Sequence, residues 1–313
     1  MDTISPAIRE YEDSTPLLAG PDRLRQRIAE DGFLFLRDFI PRELVLELRR
    51  RILEIVERNG WMKAGTDIME GIADRDAIAR SAAVESFHAW GTGIPNRVYR
   101  DVQCLEQFHA LAHHPKFIAL YETIFQSGVL IHPRHIARVM LPSPGLSPTP
   151  PHQDFIHIQG TTNVWTCWMP LGDCPVRAGG LSVLRGSNQD GLLPVMAAAG
   201  AGGTESIICE TTHQWAQGDF KLGDIITFPC HTVHKSLPSQ LPDRIRLSCD
   251  YRFQPAHEDI EEKSLQPHGQ IATWEEIYQN WNNKNLMYYW EKRDLHLSPW
   301  NESIRWQKER ICN

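Results

Sequence analysis

The sequence predicts a mostly β fold, a sandwich or barrel, with flanking helices. Three observations carry this. From Val129 to Phe253, short runs rich in β-branched and aromatic residues are separated by Pro and Gly turns, the spacing of an all-β core. Before them, up to about Gly128, apolar residues recur at helical spacing. After Pro255 the chain turns polar and helical again and ends in a Trp- and Tyr-rich tail.

Residues 1–20 are polar, lack periodicity and are expected to form a flexible arm. Pro21 opens a short amphipathic helix with Leu24 and Ile28 on one face, and Asp31-Gly32 ends it. Phe33–Leu36 reads as a strand. Pro41 starts a longer helix through Leu48, Ile52 and Ile55 to about Asn59-Gly60. Residues 60–105 alternate Gly, Asp and Arg with short apolar pieces, and no element is assigned there. Pro115 begins another helix that ends near Ser127-Gly128. The expected strands are 129–132, 136–141, 155–158, 163–169, 181–184, 224–228 and 245–253, and a helix follows over 274–281. The organisation is an arm (1–20), one domain built of a helical part (21–128) and a β core (129–255), and a helical extension (256–313) packed on that core or making a homodimer contact.

The 313 residues carry 32 basic and 39 acidic side chains, a net charge of −7. That balance gives no reason to expect a nucleic-acid phosphate track. No apolar run is long enough to span a bilayer, and the N-terminus lacks a basic start with an apolar stretch behind it. The seven cysteines form no CxxC, so a disulfide framework is not expected and reduced thiols in a cytoplasmic protein fit best.

His152-Gln153-Asp154 and His234 supply two imidazoles and a carboxylate from separate stretches. Such a set matches the 2-His-1-carboxylate arrangement of non-haem Fe(II), which leaves one face open for cosubstrate and dioxygen. In extended chain, residues i and i+2 point the same way, so H-x-D brings both groups to one ion. H-x-D alone is a weak signal. His257-Glu258-Asp259 is a second instance, but it lies in an acidic run that reads as a solvated face. His231 competes with His234. Ten residues beyond His234, Arg244 begins a stretch in which Arg246 and Ser248 share its face; a guanidinium beside a hydroxyl suits a buried dicarboxylate.

With these motifs the chain resembles the phytanoyl-CoA dioxygenase (PhyH) family of Fe(II)/2-oxoglutarate-dependent oxygenases, over roughly residues 22–255. Gly32–Pro41 is similar to the family's opening strand and helix. Pro151–Asp154 is similar to its metal motif, and Cys167–Leu171 with Gly179–Asn188 to its most recognisable block, which usually ends Gly-Ser-His rather than Gly-Ser-Asn. His234-Lys235-Ser236 resembles the second histidine with its serine, and Arg244–Tyr251 the arginine strand. The resemblance implies a double-stranded β-helix (jelly roll, cupin-like) core. It implies metal ligands His152, Asp154 and His234, with Arg244 on the distal carboxylate of 2-oxoglutarate and Ser236 and Trp168 near that cosubstrate. The implied reaction uses Fe(II), 2-oxoglutarate and O2 to hydroxylate, or otherwise oxidise, an unactivated C–H bond of a small molecule, releasing succinate and CO2. The carboxylate at Asp154 favours this over halogenation, whose enzymes replace it by Gly or Ala.

Arg246 remains the rival of Arg244, because alternation cannot separate two positions on one face. Arg138 is a candidate for the other cosubstrate carboxylate or a substrate anion, with a structural arginine as the plain alternative. Trp61, Trp90 and the Gly/Ala-rich 191–205 fall where a substrate lid is expected. Two other functions fit a similar barrel: a cupin-like metalloenzyme that does not use 2-oxoglutarate, and a non-catalytic jelly-roll binding module. A clamp for a carboxylate argues against the first, and the presence of all three ligands argues against the second.

Overall fold

The computed structural model describes residues 8–310 except 88, 144 and 209–211. Two β-sheets face each other as a jelly roll. The larger sheet runs in the order β2 (Leu34–Leu36), β10 (Ile225–Pro229), β5 (Trp165–Pro170), β12 (Arg246–Pro255), β3 (Val129–Ile131), with β4 (Ile136–Met140) also on β12. The smaller runs β1 (Arg9–Glu10), β9 (Trp215–Gln217), β6 (Leu181–Leu184), β11 (His234–Ser236). Outside them lie the hairpin β7 (Val195–Ala197) and β8 (Thr204–Ser206), and the pair β13 (Ile260–Glu261) and β14 (Leu297–Ser298).

Six helices, α1 (Pro21–Asp31), α2 (Arg42–Arg58), α3 (Arg75–Ala82), α4 (Asn96–Gln103), α5 (Glu106–Ala112) and α6 (Pro115–Phe125), come before the main strands. Their start signals are local. Pro21 and Pro115 occupy first-turn positions, where a missing N–H costs nothing, and Asp74 caps α3 by accepting from the Ala77 N–H. Helix α1 stops at Gly32, in the left-handed region at φ 73°. A β-carbon there would sit 2.3 Å from Asn188 Oδ1, so both conformation and space demand glycine.

Strand β12 organises the packing. Its odd residues Leu247, Cys249, Tyr251 and Phe253 are buried with the helices, where Tyr251 and Phe253 meet Phe117. Its even residues Arg246, Ser248, Asp250, Arg252 and Gln254 point to the other face, between the sheets. The apolar part of that interior is formed by Tyr11, Phe33, Phe35, Trp168, Phe220 and Phe228 among others. A central strand that is apolar toward the helices and polar toward the interior is the inverse of an ordinary sandwich strand, and it marks that part of the interior as a site.

Several expectations change. The arm is laid down from Ile8 onward: β1 pairs with β9, and Tyr11 is buried against Phe33, Phe35 and Phe220, aromatic contacts that repay its ordering. The expected strand 155–158 is replaced by a single 3-10 turn, Asp154–Ile156, because the chain must bend at the metal motif. Residues 60–105 hold α3 and α4 and wrap the barrel rim, with the Ile72↔Arg244 bridge and the Val139 N–H on the Thr92 carbonyl. In the C-terminal extension, α7 (Trp274–Tyr278) and the stretch to Trp290 spend their aromatic surface within their own chain, and α8 (Glu302–Arg305) follows. The five described cysteines are free thiols; Cys209 and Cys312 lie outside the described residues. No helix among the described residues is long and apolar enough to cross a membrane.

Candidate metal centre

His152 and His234 are brought together by main-chain pairing. Each donates its backbone N–H to the other's carbonyl at 3.0 Å. Their rings lie 4.2 Å apart between centroids. His152 Nδ1 lies 2.8 Å from the Pro150 carbonyl and His234 Nδ1 3.1 Å from that of Thr232, which fixes both rings and leaves both Nε2 atoms for the interior. Gln153, extended between His152 and Asp154, points the opposite way. Its buried amide donates to the carbonyls of Gly191 (2.7 Å) and His231 (2.6 Å) and accepts from the Leu193 N–H (2.8 Å). The H-x-D spacing works because this one central residue is extended, not because it sits inside a strand.

Asp154 Oδ1 lies 3.7 Å from His152 Nε2 and 3.9 Å from His234 Nε2. Its Oδ2 accepts from the Thr166 hydroxyl and lies 3.6 Å from Arg252 Nη2. One oxygen therefore faces the two imidazoles while the other is held from behind. One ligand atom from each of the three residues lies within 4.8 Å of the other two, all three residues are buried, and no other group of that kind occurs among the described residues. Burial alone would raise the Asp154 carboxyl; Arg252, His234 and His152 outweigh it and hold the group well below the usual carboxylate range. Burial, with His152 beside it, pushes His234 down to about 3. An ionised carboxylate and an unprotonated imidazole are the forms a divalent cation needs, so the donor set fits iron.

A narrow cleft at this centre, about 20 Å³, is lined by Trp168, Thr166, Phe228 and Arg138 besides the three candidate ligands. It shares Ser236 with a cavity of about 310 Å³ that contains Arg246, Met140 and Arg244. On its other side it shares Arg138, Thr149 and Arg252 with a cavity of about 460 Å³ walled by Trp90, Trp300, Ile136 and Ile158.

The sequence candidates divide between these spaces. Arg246 is partly buried on β12, donates to Ser248 Oγ at 2.8 Å and stands 6.0 Å from the Trp168 ring. Burial, with Arg138 nearby, lowers its pKa. Arg244 precedes the strand, is exposed and donates to the Glu70 carbonyl at 2.7 Å, on the rim rather than between the sheets. Arg138 pairs with Asp250 at 2.9 Å and donates to the Gly91 carbonyl at 3.0 Å. His231 is buried with its ring 5.2 Å from Phe155 and does not belong to the three-residue group, and His257 is exposed. Trp61 is buried, its indole donating to Ser81 Oγ; Trp90 stands 55% exposed at the mouth of the larger cavity, with φ 56°. Thr166 and Arg252, which stand behind Asp154, are not among the residues the sequence motifs single out. For Arg252 the signal lies in the alternation Arg246-x-Ser248-x-Asp250-x-Arg252-x-Gln254, five polar residues on one face of an otherwise apolar strand; Thr166, on β5, has no such signal.

A family model described as phytanoyl-CoA dioxygenase (PhyH) matches residues 28–245. The chain is 26% identical over 268 residues to a 1-deoxypentalenic acid 11-beta-hydroxylase of Streptomyces exfoliatus, covering 82% of this chain and 87% of that one. It is 25% identical over 271 residues to the enzyme of the same name from Streptomyces arenae, covering 79% and 86%. Among solved structures, the fold is similar to the epimerase SnoN in complex with Fe3+, alpha ketoglutarate and nogalamycin RO (TM-score 0.52, 19% identity, 77% of this chain and 86% of that one). It is also similar to the non-heme monooxygenase ThoJ (TM-score 0.53, 16% identity, 75% and 78%).

Proposed function

The chain belongs to the phytanoyl-CoA dioxygenase family and is an Fe(II)/2-oxoglutarate-dependent oxygenase; from that premise we propose that His152, Asp154 and His234 hold the iron. Arg246 with Ser248 takes the distal carboxylate of 2-oxoglutarate, with Trp168 and Ser236 beside the cosubstrate. The role expected of Arg244 thus moves two residues along the chain, to the guanidinium that lies between the sheets. Bound iron and 2-oxoglutarate supply the O2-dependent oxidation of a C–H bond, coupled to release of succinate and CO2. The chain's own residues do the rest. Thr166 and Arg252 fix the orientation of Asp154, the Pro150 and Thr232 carbonyls fix the two imidazoles, and Trp168 and Phe228 keep the cleft narrow and water-poor.

The observation that carries this reading is the division of labour on Asp154, one oxygen toward both Nε2 atoms and the other held from behind. A substrate of small-molecule size enters the 460 Å³ cavity on the Arg252 side. The Streptomyces relatives are named for hydroxylating 1-deoxypentalenic acid, and SnoN was solved with nogalamycin RO, which supports an organic small molecule.

Anaerobic titration with Fe(II) and then 2-oxoglutarate tests the reading. A weak visible charge-transfer band that needs both additions and is lost in Asp154→Ala is expected. Iron binding without the band would favour a cupin-like enzyme that does not use 2-oxoglutarate; no iron binding would overturn the metal assignment.

A further inference from the structure

Among the described residues, Arg252 is the buried charged side chain with the most unpartnered polar atoms. The residue is 4% exposed, yet its Nε and Nη1 have no hydrogen-bond partner among the described residues. Its Nη2 is 3.6 Å from Asp154 Oδ2, an oxygen already engaged by the Thr166 hydroxyl. A buried guanidinium with idle donors is costly to keep, so a partner absent from the folded chain is called for.

The cavity that Arg252 faces has the matching character. Arg134, Arg138, Lys263 and Arg305 also line it, against one carboxylate, Asp154. Arg134 spends its donors on the carbonyls of Lys263 and Gln266, and Arg138 on Asp250 and the Gly91 carbonyl. Arg305, half-buried, donates to the Gly202 carbonyl at 3.5 Å and leaves its Nε unpartnered, so Arg252 is the fully buried open fork, in a cationic field that concentrates anions. Trp90, Trp300, Ile136 and Ile158 supply apolar wall in the same cavity.

Cosubstrate is not the natural partner. Arg246 and Arg252 lie six residues apart on one strand, so their Cα atoms are about 20 Å apart. A single five-carbon diacid seated on Arg246 leaves Arg252 on the far side of the metal cleft.

We propose that the 460 Å³ cavity takes a small organic acid with an apolar skeleton, its carboxylate held by the Arg252 guanidinium. Arg252 then serves twice, steadying Asp154 from one edge and docking substrate with the other. This inference rests on the reading of that cavity as the substrate's.

The test uses enzyme loaded anaerobically with Fe(II) and 2-oxoglutarate. Cage, bicyclic and linear carboxylic acids, beginning with 1-adamantanecarboxylic acid, are each paired with their carboxamide. Calorimetry and the perturbation of the visible band read binding. Wild type is expected to bind at least one acid about 30-fold or more above its amide, the scale of a desolvated charge pair. Arg252→Gln, measured at Fe(II) high enough to saturate a variant whose Asp154 has lost one of its two supports, should bring that ratio within about 3-fold, and Arg252→Lys should keep part of the preference. Equal binding of acid and amide by wild type, or no acid of the set binding, overturns the proposal, and neither comparison needs a variant to fold. Loss of the band in Arg252→Gln while calorimetry still shows Fe(II) bound overturns it too, assigning Arg252 to the cosubstrate. Absence of the band in wild type defeats the underlying reading, and this inference falls with it.

Discussion

His152 and His234, 82 positions apart in the chain, are partners in a two-residue antiparallel bridge, each N–H on the other's carbonyl at 3.0 Å. The same bridge that ties the metal-motif loop to β11 sets the separation of two proposed iron ligands. Ring placement is thus inherited from backbone pairing, which is stiffer than any side-chain contact. Ser187 reinforces it from the side, donating to the Leu184 carbonyl and accepting from the Val233 N–H at 2.8 Å.

Thr166→Val should weaken Fe(II) binding by about 10- to 100-fold with little change in melting temperature, because it removes the hydroxyl that holds Asp154 Oδ2. Thr166→Ser should restore most of the affinity. Fe(II) titration under argon measures both; unchanged affinity in the valine variant would show that Arg252 orients the carboxylate alone.

Arg246→Gln should raise the 2-oxoglutarate requirement about 30-fold or more, since it removes one side of a desolvated charge pair. Arg244→Ala should change it by less than about 3-fold, because that guanidinium engages only the Glu70 carbonyl at the rim. Cosubstrate dependence of succinate release separates the two, and the reverse ranking would return the role to Arg244.

Gln153→Ala should destabilise the fold by about 2–4 kcal/mol. It strands the carbonyls of Gly191 and His231 and the Leu193 N–H, all three at a buried position. Urea unfolding of the metal-free chain reads this directly, and a loss below 1 kcal/mol, on the order of one exposed hydrogen bond, would mean the loop re-forms its contacts with water.

Stability should fall as pH drops below about 6.5. Burial pushes His109 down to about 3, against a bond to the Gln103 carbonyl, and His132 down to about 3, against one to Gln254. Their native pKa values lie below the unfolded value, so between pH 6.5 and about 3 the unfolded chain binds the extra protons and gains on the native state. At pH 4.5 the two sites together cost about 5 kcal/mol relative to pH 7. His135 and His268, held low by burial, act in the same direction. Urea midpoints across this range, repeated in His132→Gln, should show a shallower slope in the variant; an identical slope would mean that His132 is not carried neutral.

Local chemistry made part of this legible from residues alone. Prolines 21 and 115 and the αL glycine at 32 announce helix boundaries through backbone sterics, and the seven-run β pattern announces the sheets, six of its runs matching strands. The helices of 60–105 were hidden because they are short and owe their position to the barrel rim, through contacts such as Ala73 N–H on the Asp243 carbonyl. The proposed ligand set was readable because H-x-D needs only one extended residue between its ends.

The sequence by itself thus determined which chemical groups are present, on what faces of most strands, and that a candidate metal-binding set has an arginine nearby. Only the tertiary structure decided which arginine lies between the sheets, that Thr166 and Arg252 stand behind Asp154, and that the N-terminal segment from Ile8 onward closes an edge of the smaller sheet. The reason is physical: periodicity of two fixes a residue's side of a strand, but where along the strand the barrel begins depends on pairing with partners that are distant in sequence. Here β12 enters the sheet at Arg246, opposite Met140, and two residues earlier the same face is already at the rim.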